Sequence, residues 1–420
     1  MESGRSPAIS LDKVAVVPVR PTAAKTKLWK VVAPVAVLLL AALIAGGLYY
    51  RSHGAKALTD KDTVVLADFS NSTGDPVFDD TLKTALSVSL NQSPFLNVNS
   101  DSKVTATLKL MARPADTKLT PDIIRELCQR AGSKAYVAGA IASLGSEYVL
   151  GLKAVNCQSG DTLAQEQTTA AAKEKVLDAL GDAASKMRSE LGESLATIKR
   201  LDVPLSEATT SSLEALKAYT LGRKAGGEKG AAAAVPYDQR AIQLDPNSAM
   251  GYEAVGYDYY SLGELRRASD YFTKAFELRE HASEREKLEI SAQYYQVVTG
   301  KLEKAAQTFH DWIESYPRDF RAHFDLCVVY ASQGQYEKST EACREGLRLA
   351  PDDVGPYENI ADSLLALQRF GEARQIIQQA QMRKLDDFIA RNALYALAFL
   401  ASDSPAMTEQ QQWFAGPARP

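Results

Sequence analysis

The sequence predicts a mixed architecture: one membrane-spanning helix, then a small α+β segment of α/β type, then an all-α solenoid of paired helices. Three observations carry that prediction. Val31–Tyr50 is a run of twenty residues without a charge. Between residues 62 and 200, short β-type apolar runs alternate with helical ones. From residue 212 onward, helical periodicity returns at an interval near 34 residues.

At about 1.5 Å rise per residue, about twenty apolar residues cross a hydrocarbon core of about 30 Å. Trp29 and Lys30 stand at one edge of the run, and Tyr49, Tyr50 and Arg51 at the other, where interfacial rings and cations belong. Pro34 falls in the first turn, where it costs the helix little. A buried helix of a soluble core and a cleaved signal peptide are the rival readings. The run is too long and charge-free for the first. It exceeds the roughly 7–15 apolar residues of the second and ends in two tyrosines. The tail 1–30 carries Arg5, Lys13, Arg20, Lys25, Lys27 and Lys30 against Glu2 and Asp12. The flank 51–61 carries three cations. Positive charge predicts a cytoplasmic tail and export of residues 51–420. Pro7, Pro18 and Pro21 leave the tail without a period, so it reads as disordered.

Composition is that of a globular chain, with 45% hydrophobic and 24% charged residues and a net charge of −4. No basic cluster outside the tail points to nucleic acid. Four cysteines are too few for a disulfide scaffold and lack zinc-site spacing. Cys128 and Cys157, and Cys327 and Cys343, are each close enough in the expected fold to bridge, or to remain small buried hydrophobes.

After a linker at 51–61, the α/β segment spans 62–200. Thr63–Phe69 reads as a buried strand. Asp75-Pro76 starts a helix whose Phe78, Leu82, Leu86 and Leu90 form one face. Phe95–Val98 is a short strand, and Pro121–Arg130 a helix stopped at Gly132. Lys134–Ser143 and Glu147–Cys157 form a hairpin around Leu144-Gly145-Ser146, and Thr162–Thr169 adds a strand. From Ala172 to Lys199 one long helix is expected, with Val176, Leu180, Ala184, Met187, Leu191, Leu195 and Ile198 covering the sheet.

That order of elements resembles the amino-terminal domain of TolB and related FlgO-like or CsgG-like envelope domains. The stretches VVLADFSNSTGDPVFDD, GSKAYVAGAIASLGSEYVLGLKAVNCQSGD and LGESLA resemble the region after the membrane span in bacterial receptor-type serine/threonine kinases and winged-helix regulators that end in tetratricopeptide repeats. The resemblance covers roughly residues 58–400. It implies a bacterial inner-membrane, single-pass protein with periplasmic domains. It does not extend to an amino-terminal kinase or DNA-binding module.

A linker at 201–211 leads to the array at 212–402, with a degraded partial repeat and tail at 403–420. Pro317 and Pro351 lie 34 residues apart, and Pro246 and Pro317 lie 71 apart. The shorter interval is the tetratricopeptide period. Tyr252, Val255, Gly256, Tyr259, Gly263, Leu265, Ala268, Phe272 and Ala275 fill one such repeat. Residues 320–353 and 354–383 repeat it, and Ala218, Leu221, Gly222, Ala234 and Ala241 begin it, with Asp238 in an aromatic slot. Ser211 and Glu214 suggest a capping box. The hairpin 284–317 fits only if its loop holds one extra residue. Asp387–Leu400 and Met407–Phe414 complete five repeats and a fraction.

No catalytic constellation is legible. There is no phosphate loop, kinase motif set or GxSxG elbow, and His53, His281, His310 and His323 are scattered. Gly226, Gly227 and Gly230 read as turn chemistry. Asp68, Asp75, Asp79 and Asp80 read as a helix cap and solvated first turn rather than a cation site. No metal or cofactor is expected. Stacked hairpins present a curved inner surface lined by first helices. Register puts Tyr219, Arg223, Glu253, Tyr257, Tyr260, Arg321, Phe324, Glu358 and Asp362 there, a mix suited to a peptide or protein partner. The expectation is a non-catalytic scaffold tethered to the membrane. Its competitors are the sensory half of a kinase or regulator with a missing or separate effector, an enzyme with an unrecognised α/β site, and an inert spacer.

Overall fold

The computed structural model describes residues 58–385 and 388–416, and these form one compact unit. The tail, the apolar run Val31–Tyr50 and most of the first linker lie outside the described residues. Among the described residues, no helix is long and apolar enough to cross a membrane.

The sheet contains β1 (Thr63–Leu66), β2 (Ser70–Asn71), β3 (Asn97–Val98), β4 (Ala135–Leu144), β5 (Glu147–Asn156) and β6 (Thr162–Ala170). Its order is β3-β1-β4-β5-β6, with β2 also paired to β4. β1 runs parallel to β3 and β4, whereas β4, β5 and β6 are antiparallel. Strand alternation sends side chains to two cores. Val64, Leu66, Val137, Ile141, Leu150 and Leu152 meet α1 (Asp79–Asn91) and, later in the chain, Val176–Leu191. Val65, Ala67, Tyr136 and Val155 meet α2 (Asp101–Leu110) and α3 (Pro121–Arg130). Phe78, Leu82, Leu86 and Leu90 are all buried, as their spacing predicts. Cys128 and Cys157 are joined, tying α3 to the end of β5.

Each aspartate of the acidic cluster has a local use. Asp68 pairs with Lys83 at 2.6 Å and accepts from the Leu119 amide at 2.8 Å. Asp75 caps the Val77 amide and pairs with Lys173. Asp79 accepts from Asn71, and Asp80 faces Lys224.

Three points differ from the expectation. The single helix Ala172–Lys199 is two, α4 (Val176–Leu191) and α5 (Leu195–Leu201). Gly192, at φ +117°, ends α4 in the left-handed region. The break lets Arg188, fully buried, grip Glu193 through two hydrogen bonds of 2.8 and 3.0 Å and Asp202 at 2.7 Å. Leu195, placed on the buried stripe, is exposed in consequence. Helix α2 has no apolar period strong enough to predict it; Ser100 caps it through the Lys103 amide. Third, Ser211 does not cap the array. Ser212 does, through the Ala215 amide, because Thr210 Oγ1 holds the Ser212 amide and Glu214 is drawn to Lys173.

Beyond the short α6 (Leu205–Ala208) the described residues form six helix pairs. They are α7 (Leu213–Lys229) with α8 (Ala231–Leu244), α9 (Ala249–Ser261) with α10 (Leu265–Leu278), and α11 (Glu284–Gln293) with α12 (Leu302–Ser315). Then follow α13 (Phe320–Ser332) with α14 (Tyr336–Leu349), α15 (Gly355–Ala366) with α16 (Phe370–Met382), and α17 (Phe388–Leu400) with α18 (Ser404–Phe414). Gly226 and Gly227 lie inside α7, and Gly230 alone makes the turn, at φ +84°. The irregular third pair takes its extra length in the helix, not only in the loop. Tyr294–Val298 is a π-helical turn at the end of α11, the usual way a helix accommodates an inserted residue. Cys327 and Cys343 are joined across α13 and α14.

Candidate functional site

The first helices of successive pairs bring a band of polar side chains to one inner face. Two positions one turn apart recur along it. The first reads Tyr219, Glu253, Glu289, Arg321, and the second Arg223, Tyr257, Gln293, Asp325. The i, i+4 spacing keeps each pair on one helix face.

At the centre lies a charge network. Arg285 bridges Glu289 at 3.1 Å and Asp319 at 2.6 Å, and its guanidinium stands 5.0 Å from the Trp312 ring centroid. Trp312 Nε1 donates to the same Asp319 carboxylate. Arg321 also donates to Glu289, and its guanidinium lies 6.0 Å from the Tyr257 ring centroid. Gln293 donates to Asp325 at 3.2 Å. Tyr257 in turn is edge-on to Phe272, with centroids 5.3 Å apart.

Protein surrounds this face, yet over half of the Arg321 and Arg223 side chains still reaches solvent. Glu289 is buried, which disfavours its charge, but Arg321 and Arg285 overcome that and hold it below the usual carboxylate range. Glu253 is 1% exposed, and no hydrogen bond reaches its Oε1. Burial, and then the neighbouring Glu289, raise Glu253 well above the usual range. Burial likewise pushes Asp325 up to about 7. Burial followed by Asp325 and Glu253 raises the Tyr257 phenol.

Of the sequence-predicted residues, Tyr219, Arg223, Glu253, Tyr257 and Arg321 converge on this face. Tyr260 is an exposed ring one turn beyond Tyr257 and shares none of these contacts. Phe324 stacks on Phe320 at 5.7 Å and fills the space above Gly355, where a Cβ would sit 2.8 Å from its Cζ. Glu358 lines an apolar recess with Tyr357, Ala361 and Ile377, and Asp362 is exposed. Sequence reasoning missed Glu289, Gln293 and Asp325. Asp325 was available from the period, lying two repeats past Tyr257. Glu289 and Gln293 are displaced from it by the irregular third pair. Among the described residues, no group of histidine, cysteine and carboxylate side chains could hold a metal ion.

The helix pairs and their period have a counterpart among known proteins: residues 320–353 match the tetratricopeptide repeat family. The chain contains tetratricopeptide repeats. A tetratricopeptide repeat-containing protein of Methanocaldococcus jannaschii is 25% identical over 162 residues, 37% of this chain. Superkiller protein 3 of Schizosaccharomyces pombe is 23% identical over 167 residues, 39% of this chain. The matches span only 27% and 12% of those relatives' lengths. Similar solved structures include PilW, described as a widely conserved type IV pilus biogenesis factor (16% identity, TM-score 0.38, 47% of this chain and 91% of that one). They also include YrrB, a repeat protein with an unusual peptide-binding site (17% identity, TM-score 0.29, 43% and 91%). The LpoB C-terminal domain of Salmonella enterica is another (11% identity, TM-score 0.26, 28% and 89%). The described residues are mostly a helical repeat solenoid preceded by a small sheet region.

Proposed function

We propose that the chain is a non-catalytic scaffold, held in a bacterial inner membrane by residues 31–50, that captures a peptide or protein segment on the inner face of its repeats. The observation that carries this reading is the convergence of Tyr219, Arg223, Glu253, Tyr257 and Arg321 from three first helices on one solvent-reached face. Aromatic and arginine side chains concentrate binding energy. The sheet region is read as a TolB- or FlgO-like envelope domain. The two bridged cysteine pairs support an oxidising, periplasmic location for it and for the repeats.

Crosslinking and pull-down from intact membranes test the reading. Wild-type chain should retain a partner that the Tyr219→Ala, Tyr257→Ala double variant loses. Retention of the same partner by the double variant would overturn the assignment of this face. A C-terminal fusion to a reporter silent in the periplasm should be inactive; activity would reverse the topology.

A further inference from the structure

The inner face is short of positive charge at one buried point. Arg321 and Arg285 are both committed, to Glu289 and Asp319. Asp325 receives a hydrogen bond from the neutral amide of Gln293. Glu253 Oε1, buried on the adjacent helix, receives none. A buried carboxyl oxygen without a donor is costly. The groups facing Glu253 are Glu289, Glu286, Arg321 and Arg285, and Glu286 is already used in the capping box with Ser283. A metal ion is not the missing partner, because the described carboxylates are not gathered closely enough to ligate one.

Tyr257 supplies the second half of a cation site. Its ring faces this cluster and carries a guanidinium 6.0 Å from its centroid. Ring faces attract ammonium and guanidinium groups. The cation there now belongs to Arg321, whose side chain is 52% exposed and therefore free on one side to move.

We infer that this point is a seat for an organic cation, the side-chain ammonium or guanidinium of a lysine or arginine in the captured segment. The ligand cation enters beside Tyr257, displaces the Arg321 guanidinium towards solvent, and donates hydrogen bonds to Glu289 and the empty oxygen of Glu253, with the charge of Asp325 beside the same ring. The inference rests on the peptide-capture reading and adds its specificity. Burial and Glu289 oppose the charge on Glu253 in the free protein, which favours its protonated form. A bound cation reverses that balance, so Glu253 gives its proton to solvent as the ligand binds.

Four N-acetylated, C-amidated tripeptides test this: Ala-Lys-Ala, Ala-Arg-Ala, Ala-acetyllysine-Ala and Ala-Glu-Ala, titrated calorimetrically into the full chain in detergent micelles. The lysine and arginine peptides should bind about tenfold more tightly than the other two, since charge-assisted bonds are roughly twice as strong as neutral ones. Their heats should depend on the ionisation enthalpy of the buffer, reporting proton release. Glu253→Gln should reduce the buffer dependence to the share that Asp325 contributes and weaken binding about tenfold. Asp325→Asn should weaken binding and keep the Glu253 share of the buffer dependence, and so serves if the first variant fails to fold. Equal binding of all four peptides overturns the cation seat and leaves peptide capture standing. Tighter binding of the glutamate peptide also overturns it. Binding of none overturns both readings.

Discussion

The first and second repeats differ at one interhelical position, and the difference reaches the inner face. In the second, Gly256 of α9 lies against Phe272 of α10, and a Cβ at 256 would stand 2.8 Å from the ring. In the first, the residues 34 earlier are Gly222 and Asp238, with a Cβ at 222 only 2.0 Å from Asp238 Oδ1. The same two places hold Cys327 and Cys343, bridged, in the fourth repeat, and Ala361 and Ile377 in the fifth. An aromatic ring, a carboxyl, a disulfide and an aliphatic pair therefore serve one packing job. What they support differs. Phe272 buttresses Tyr257 edge-on, whereas Asp238 lies under Arg223, whose charge acts on it. Packing at this slot sets whether an aromatic or a cation is held on the binding face above.

The largest effect should follow from emptying the aromatic slot. Phe272 is 2% exposed. Phe272→Ala should cost about 4 kcal/mol and free Tyr257. Hydrogen exchange should show α9 and α10 losing protection before the other repeats do. A cost below about 1 kcal/mol would mean that the ring is incidental to the slot.

Opening the covalent version comes next. The Cys327→Ala, Cys343→Ala variant opens a bridge of sequence separation 16. It should lower stability by about 3 kcal/mol, the scale of a loop that long. Denaturant midpoints measured without reductant isolate this bridge from Cys128–Cys157. An unchanged midpoint would show that the two small buried side chains suffice without the bond. Gly256→Ala is smaller again, at about 2 kcal/mol from overpacking against a rigid ring. Its thermal midpoint should be rescued by Phe272→Leu; absence of rescue would place the strain elsewhere.

The period made the array legible because small and large residues must alternate wherever two helices touch. It therefore placed five of the nine inner-face residues on the converging face, while Tyr260 and Asp362 lie exposed. The irregular third pair shows the limit. The join before α11, which carries a 3-10 turn at Arg279–His281, sets Glu289 and Gln293 36 residues after Glu253 and Tyr257 rather than 34, so they escaped the register. In the sheet region, strong periodicity at Phe78, Leu82, Leu86 and Leu90 was decisive. The stripe from Val176 to Ile198 misled, because it runs unbroken through Gly192, where a left-handed residue and the buried Arg188 turn the chain.

The carboxyl version of the slot makes the last and smallest prediction. Asp238 and Asp258 are both buried and each leaves an oxygen without a conventional donor. Their side chains face each other, so the pair is stable only while it holds a proton. Burial, then the charge of Asp258, push Asp238 up to about 8; burial pushes Asp258 up to about 6. In the unfolded chain both release their protons near about 3.9. Between about 4 and about 8 the folded state therefore binds protons that the unfolded state has lost, and stability falls as pH rises through that window. Asp238→Asn replaces the shared proton with an amide donor that no pH in this range removes. Glu253, Glu286 and Asp325, also raised by burial, contribute a slope of the same sign in both proteins, so the informative quantity is the difference. Melting curves of wild type and variant at pH 5 and pH 8 should converge at the acid end and separate at the alkaline end, with the variant more stable. Parallel profiles would mean that the two carboxyls do not share a proton and that the first repeat tolerates its buried aspartate by another route.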